Sequence, residues 1–202
     1  MCCRLPVLVL LLQLAACTYG PVKESGRVQN IALSADGNLA GIIVKYERFR
    51  DAVGVNAFPN GGVPQILEQR ADVYIVDIPG GEISYEASLP APEDRQVSFN
   101  PWLIGWRGSD LYFQVTGCQG KPGDECYGDL IGQTFYRVSP GGISQTTRPP
   151  ELLLISSHRK DSEFLSLGSE SSGVSIRRSI SVRAVPLLRF SENHKLVAPE
   201  DS

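Results

Sequence analysis

Few residues in this chain have the types and spacing that chemistry demands. The two histidines, His158 and His194, stand 36 positions apart, and no third ligand lies at a spacing that suits a metal. Both are expected to be structural, His158 in a turn and His194 in a polar tail. Asp124, Glu125 and Asp129 form a small acidic group. They lack the alternating positions of a calcium loop, so a solvated loop is expected there. The stretch "GSESSG" at 168–173 sets serines between glycines, but without the Gly-x-Ser-x-Gly order or a strand-to-helix frame. No Gly-x-x-x-x-Gly-Lys phosphate loop and no dinucleotide fingerprint occurs. Loop carboxylates acting in a pair, as in hydrolysis of a cell-wall polymer, are the one catalytic route left open. No pair is singled out, and no cofactor or metal is expected.

Trp102 and Trp106 are the only tryptophans. One reading buries both in a β core. The other exposes at least one as a partner contact, since tryptophan is enriched in binding hot spots.

The elements that must position these residues follow from composition. The chain has 202 residues, 42% of them hydrophobic and 20% charged, as one ordinary globular domain requires. Twenty glycines and 14 prolines suit many short strands joined by turns. Net charge is -3 and no run of five like charges occurs, which argues against a phosphate-tracking nucleic-acid surface.

Residues 1–16 read as a segment apart. Arg4 precedes an apolar stretch of 12 residues, Leu5 to Ala16, interrupted by Pro6 and Gln13. A membrane span needs about 20 residues, whereas a secretory signal has this length and these flanks. The stretch ends in Leu14-Ala15-Ala16-Cys17. These four residues resemble the lipobox of bacterial lipoproteins. The resemblance implies a diacylglyceryl group on the Cys17 sulfur, cleavage after Ala16, and insertion of the acyl chains into a bilayer. Two or three chains hold where one does not, at about 0.8 kcal/mol per buried methylene. With Thr18 rather than Asp after the cysteine, the family's behaviour implies the outer membrane, facing the periplasm. An ordinary cleaved signal with an incidental Cys17 is the alternative.

On that reading Cys2 and Cys3 leave with the signal and Cys17 carries lipid, so Cys118 and Cys126 remain as an even pair in an oxidising compartment. They flank "QGKPGDE", and a disulfide between them would stabilise by about 2.5 kcal/mol on the chain-entropy estimate. Their spacing does not suit a Cys-x-x-Cys redox or metal site.

Residues 17–28, polar with Gly20 and Pro21, read as a lipidated tether. β punctuation follows. "NIALSADGNLAGIIVKY" carries an Asp36-Gly37 turn between two apolar runs, and "ADVYIVDIPGGEISYEASL" turns at Pro79-Gly80-Gly81. Val73, Tyr74, Ile75, Val76 and Ile78 leave no polar face, so their strand is expected to be central and covered on both sides. Arg48 to Arg70 between these hairpins is rich in turn-formers and reads as a surface loop. "WLIGWRGSDLYFQV" turns at Gly108-Ser109, and "GQTFYRVSPGGISQTT" holds a second Pro-Gly-Gly. From Val174 to Ala184 apolar and polar residues alternate, broken at Arg178, as in one half-buried strand.

The hairpins "ALSADGNLAGII", "LIGWRGSDLYF" and "ISSHRKDSEFLSL" align with one another, 50 to 70 residues apart. With Pro-Gly-Gly between the third and fourth strands, each unit follows the plan of a propeller blade. The stretch "ALSADGNLAGIIV…ADVYIVDI" resembles the repeats of TolB-like and dipeptidyl-peptidase-type β-propellers, with Ala35 in place of the usual proline. The resemblance implies an all-β, incomplete propeller of about three four-stranded blades over 29–190, in units near 29–95, 96–150 and 151–190. A two-sheet sandwich is the alternative, and 191–202 is expected to be a polar tail. In such propellers blades present loops to protein partners or support a separate catalytic domain, and no such domain is expected here. The expectation is therefore a non-catalytic binding or assembly module of the cell envelope. Its anchor would be the bilayer, through acylated Cys17. Its partner would be an envelope protein or a second copy, not nucleic acid. The rival reading is an envelope hydrolase using loop carboxylates.

Overall fold

The computed structural model describes residues 19–53, 64–90, 97–119, 130–139, 141–149, 157–160, 163–178 and 185–199. Every regular element among them is a strand, and the strands form three antiparallel sheets. The first sheet is a meander of β1 (Tyr19–Leu33), β2 (Leu39–Ala52), β3 (Gln65–Asp77) and β4 (Glu82–Pro90). The second repeats it with β5 (Val97–Arg107), β6 (Asp110–Gln119), β7 (Leu130–Ser139) and β8 (Gly142–Thr146). The third has β9 (Ser157–Lys160), β10 (Glu163–Glu170), β11 (Gly173–Arg178), β12 (Val185–Phe190) and β13 (Leu196–Val197), again in chain order. A two-sheet sandwich is thereby corrected to three sheets, none closed on itself.

The turns sit where glycine permits them. Gly37 (φ 71°) and Gly108 (φ 60°) take left-handed backbone in the β1–β2 and β5–β6 hairpins. The two Pro-Gly-Gly motifs join β3 to β4 and β7 to β8, the third and fourth strands of their sheets. Asp77 fastens the first of these, its carboxylate accepting from Gly80 N at 2.7 Å and its carbonyl from Gly81 N at 2.8 Å.

The first sheet is the middle layer. On one face Ile42, Val44, Tyr74 and Val76 pack against Leu167, Ile176 and Leu188 of the third sheet. On the other, Ile43, Ala71, Val73 and Ile75 pack against Leu103, Leu111 and Phe113 of the second. The side chains of β3 alternate between these two cores, so the run without a polar face is the strand covered on both sides, as expected.

Four expectations need correction. The tether ends by Tyr19, because β1 pairs with β2 from Tyr19↔Ala52 through Arg27↔Lys45. Pro21 is tolerated there since β1 is an edge strand, and cross-strand pairs Lys23–Asp51 and Glu24–Arg48 support a stretch with little apolar content. The supposed loop from Arg48 to Arg70 is strand at both ends, β2 running to Ala52 and β3 starting at Gln65. The run from Val174 to Ala184 is not one strand. β11 ends at Arg178 and β12 is its antiparallel neighbour, with 179–184 outside the described residues. Nor is 191–202 merely a tail. Leu196, in β13, is 1% exposed and belongs to the core shared with the first sheet.

Candidate functional site

Polar chemistry gathers on one face of the first sheet, beyond the edge of its apolar core. Strand alternation puts Tyr46 of β2 and Arg70, Asp72 and Tyr74 of β3 on this face, with Ser88 of β4 directly opposite Asp72. Asp72 is fully buried. Its two carboxylate oxygens accept from Arg70 Nε at 3.1 Å each, and Oδ1 also accepts from Ser88 Oγ at 2.5 Å. The Arg70 guanidinium lies 3.7 Å from the centre of the Tyr46 ring and reaches Glu68 at 3.5 Å.

The segment leading into β13 closes over this face. Ser191 to Lys195 make a tight turn, with Ser191 N donating to Lys195 O at 2.8 Å and His194 N to Ser191 O at 3.0 Å. His194 adopts φ 57°, the left-handed region that histidine visits more readily than most residues. Its ring is 6.2 Å from that of Tyr46, and its Cβ would lie 2.6 Å from a side-chain carbon built on Gly26. Glycine at 26 is what lets the turn come down onto β1. Lys195 Nζ pairs with Glu86 at 2.5 Å, and Leu196 N donates to the Tyr74 hydroxyl at 3.3 Å.

The electrostatics make this a lock. Burial, then the nearby Asp72 charge, pushes the Tyr74 phenol well above its ordinary pKa. Burial, then a hydrogen bond with Glu24, raises Tyr46. Both phenols stay neutral at physiological pH, and the Asp72 carboxylate is occupied by Arg70 and Ser88. Among the described residues no buried side-chain nitrogen or oxygen lacks a partner, and no three His, Cys, Asp or Glu side chains converge as a metal site. On the opposite face Lys45, 5% exposed, pairs with Glu47 at 2.9 Å and reaches Asn100 of β5 at 3.4 Å.

The structure separates the two tryptophans. Trp106 is 7% exposed, and its indole N–H donates to the Ala32 carbonyl at 3.0 Å, joining the second sheet to the first. Trp102 is 46% exposed. It alternates with Pro101 and Leu103, both buried, so it lies on the outer face of the second sheet, in a row with Gln114 and Phe135. Gln133 holds the Gln114 side-chain oxygen at 2.6 Å. The structure places the two histidines in different elements. His158 is in β9 opposite Leu165 rather than in a turn, and His194 sits against Tyr46. Cys118 is in β6, paired in the ladder with Ser98 and Leu130. Leu14, Ala15, Ala16, Cys17, Asp124, Glu125, Cys126 and Asp129 lie outside the described residues. A cleft of about 270 Å³ opens over the third sheet between Ser172, Val174, Pro186 and Pro199.

Sequence reasoning missed the Asp72 cluster. Its signal was present: a charged residue inside "ADVYIVD", with Arg70 two positions earlier on the same strand face.

Comparison with known proteins finds no matching family model, no matching curated protein and no matching solved structure.

Proposed function

We propose that this chain is an exported lipoprotein, held through acylated Cys17 on the periplasmic side of the outer membrane, and that it works as a non-catalytic binding or assembly module of the envelope. Its three sheets are then the blades of an incomplete propeller, and Cys118 and Cys126 form a disulfide. The observation that carries the binding reading is Trp102. It stands on a sheet face turned away from the core, beside Gln114 and in line with Phe135. A tryptophan 46% exposed on a strand, rather than on a mobile tip, is a rigid apolar anchor that a partner can cover at small entropic cost. The partner is an envelope protein or a second copy of the chain.

The closed state of the Asp72 cluster supports a non-catalytic role for that region, because its groups are committed to one another. Mild crosslinking of the membrane-tethered protein, followed by affinity capture, tests the proposal. A single stable partner, lost in Trp102→Ala, is the expected result. Turnover of an envelope polymer by the purified protein alone would overturn it.

A further inference from the structure

The start of β1 constrains how a Cys17 anchor can hold the domain. This inference rests on the proposed acylation. Tyr19 is already paired with Ala52, and two residues of chain span at most about 7 Å. An acyl group on Cys17 would therefore be tied within that distance of the open end of the β1–β2 pair. It would be only two residues along the chain from the first paired residue, Tyr19.

The composition of that end suits a bilayer surface. Val22 is an exposed apolar residue at 38%, directly across the ladder from Arg50. Arg50 is exposed and, among the described residues, has no ion-pair partner, whereas its neighbours Lys23 and Arg48 are both paired. Tyr19 lies between them and the lipid attachment. An aromatic ring, an apolar side chain and an exposed arginine are the residue types that settle at the headgroup layer, the last drawn by lipid phosphates. The opposite end of the sheet carries Asp36, Asp77 and Glu82 at its turns and no such combination.

We infer that this end of the first sheet is a phospholipid-contact surface, with Tyr19 innermost and Val22 and Arg50 at the phosphate level, so that the anchored domain stands on the membrane in a fixed orientation. The short link forces only Tyr19 near the lipid. Contact at Val22 and Arg50 is the added claim, and it can be measured.

The test uses the full acylated protein in vesicles of phosphatidylethanolamine and phosphatidylglycerol, with a fluorescent amino acid replacing Val22 or, as a control at the far turns, Glu82. Intact mass reports Cys17 acylation in the same sample. Headgroup-level bromolipid quenchers should quench the probe at 22 and spare the probe at 82. Arg50→Gln should reduce the ratio of contacting to non-contacting protein about fivefold, the equivalent of about 1 kcal/mol for one basic residue at an anionic surface. Equal quenching at both positions, or none at 22 in protein whose mass shows the acyl groups, overturns the orientation and leaves the anchor standing. Protein recovered without the acyl mass overturns both.

Discussion

Leu111 occupies the space that a side chain on residue 41 would need. A Cβ on Gly41 would lie 2.5 Å from Leu111 Cδ1 and 2.7 Å from Cδ2, and Leu111 is fully buried. The second sheet thus keys into the first through a missing methyl group. Gly41→Ala should cost about 1–3 kcal/mol through overpacking, read as a lower denaturant midpoint. An unchanged midpoint would mean that the two sheets can part without penalty.

The Arg70–Asp72 pair should respond asymmetrically to truncation. Arg70→Ala leaves a carboxylate that is 0% exposed without its counter-charge, with Ser88 Oγ still donating to it, and should cost about 3 kcal/mol. Asp72→Ala leaves a guanidinium that is 21% exposed and still shares Glu68 and the Tyr46 ring, so it should cost clearly less. Urea melts of the two variants decide the order, and equal losses would argue against a specific buried pair.

Asp36 gives the β1–β2 turn an acid limit. Its carboxylate accepts from Ser34 Oγ at 2.6 Å and from the backbone and side-chain nitrogens of Asn38 at 3.1 and 2.9 Å. The Ser34 bond, then the Asn38 backbone, holds its pKa below the ordinary 3.8. A depressed carboxylate contributes stability fully above its unfolded pKa, and that contribution fades as pH falls through the folded value. Thermal melts below about pH 4 should therefore decline less steeply in Asp36→Asn than in the parent. Parallel curves would remove the role.

The two tryptophans should separate in stability and in fluorescence. Trp106→Phe removes the buried indole bond to the Ala32 carbonyl together with part of the packed ring volume and should cost about 1–3 kcal/mol. Trp102→Ala should cost about 1 kcal/mol or less while removing most acrylamide-quenchable emission. Quenching that survives the Trp102 change would place the exposed indole elsewhere.

The proposed anchor and disulfide are checked on exported protein. Cys17→Ser should move the folded chain from membrane to soluble fraction, and retention after a salt wash would show another anchor. Non-reduced peptide mapping should recover Cys118 joined to Cys126. Free thiols at both would end that proposal.

Much of the middle of each sheet was legible because local signals and burial agree there. Asp36-Gly37, Gly108-Ser109 and both Pro-Gly-Gly motifs mark turns through backbone demands that the residues themselves impose. Val73 to Ile78 announced two-sided cover through the missing polar face. The ends of the strands were not legible. Tyr19 to Arg27 and Leu196 have strand character only because a remote strand lies alongside, a property absent from their own windows. Arg70 and Asp72 were overlooked for a related reason. Two opposite charges on one strand read as surface until His194, Lys195 and Leu196 are known to pass over them. Trp102 and Trp106 differ in role because a register shift between Leu103 and Gly105 breaks the simple alternation, and no local sequence rule indicates that shift.

A middle layer covered from both sides also sets an order of assembly. The first sheet is synthesised before either of its covers, so its two apolar faces stay bare while the rest of the chain is made. The second sheet can close one face early. The other waits for β10 to β13, and Leu196 reaches Tyr74 across 122 residues of sequence. Contacts of such separation make folding slow and leave the half-covered sheet prone to aggregation. A chain shortened before Leu196 should then be the species that depends most on a chaperone, because it carries a finished scaffold with one side permanently open.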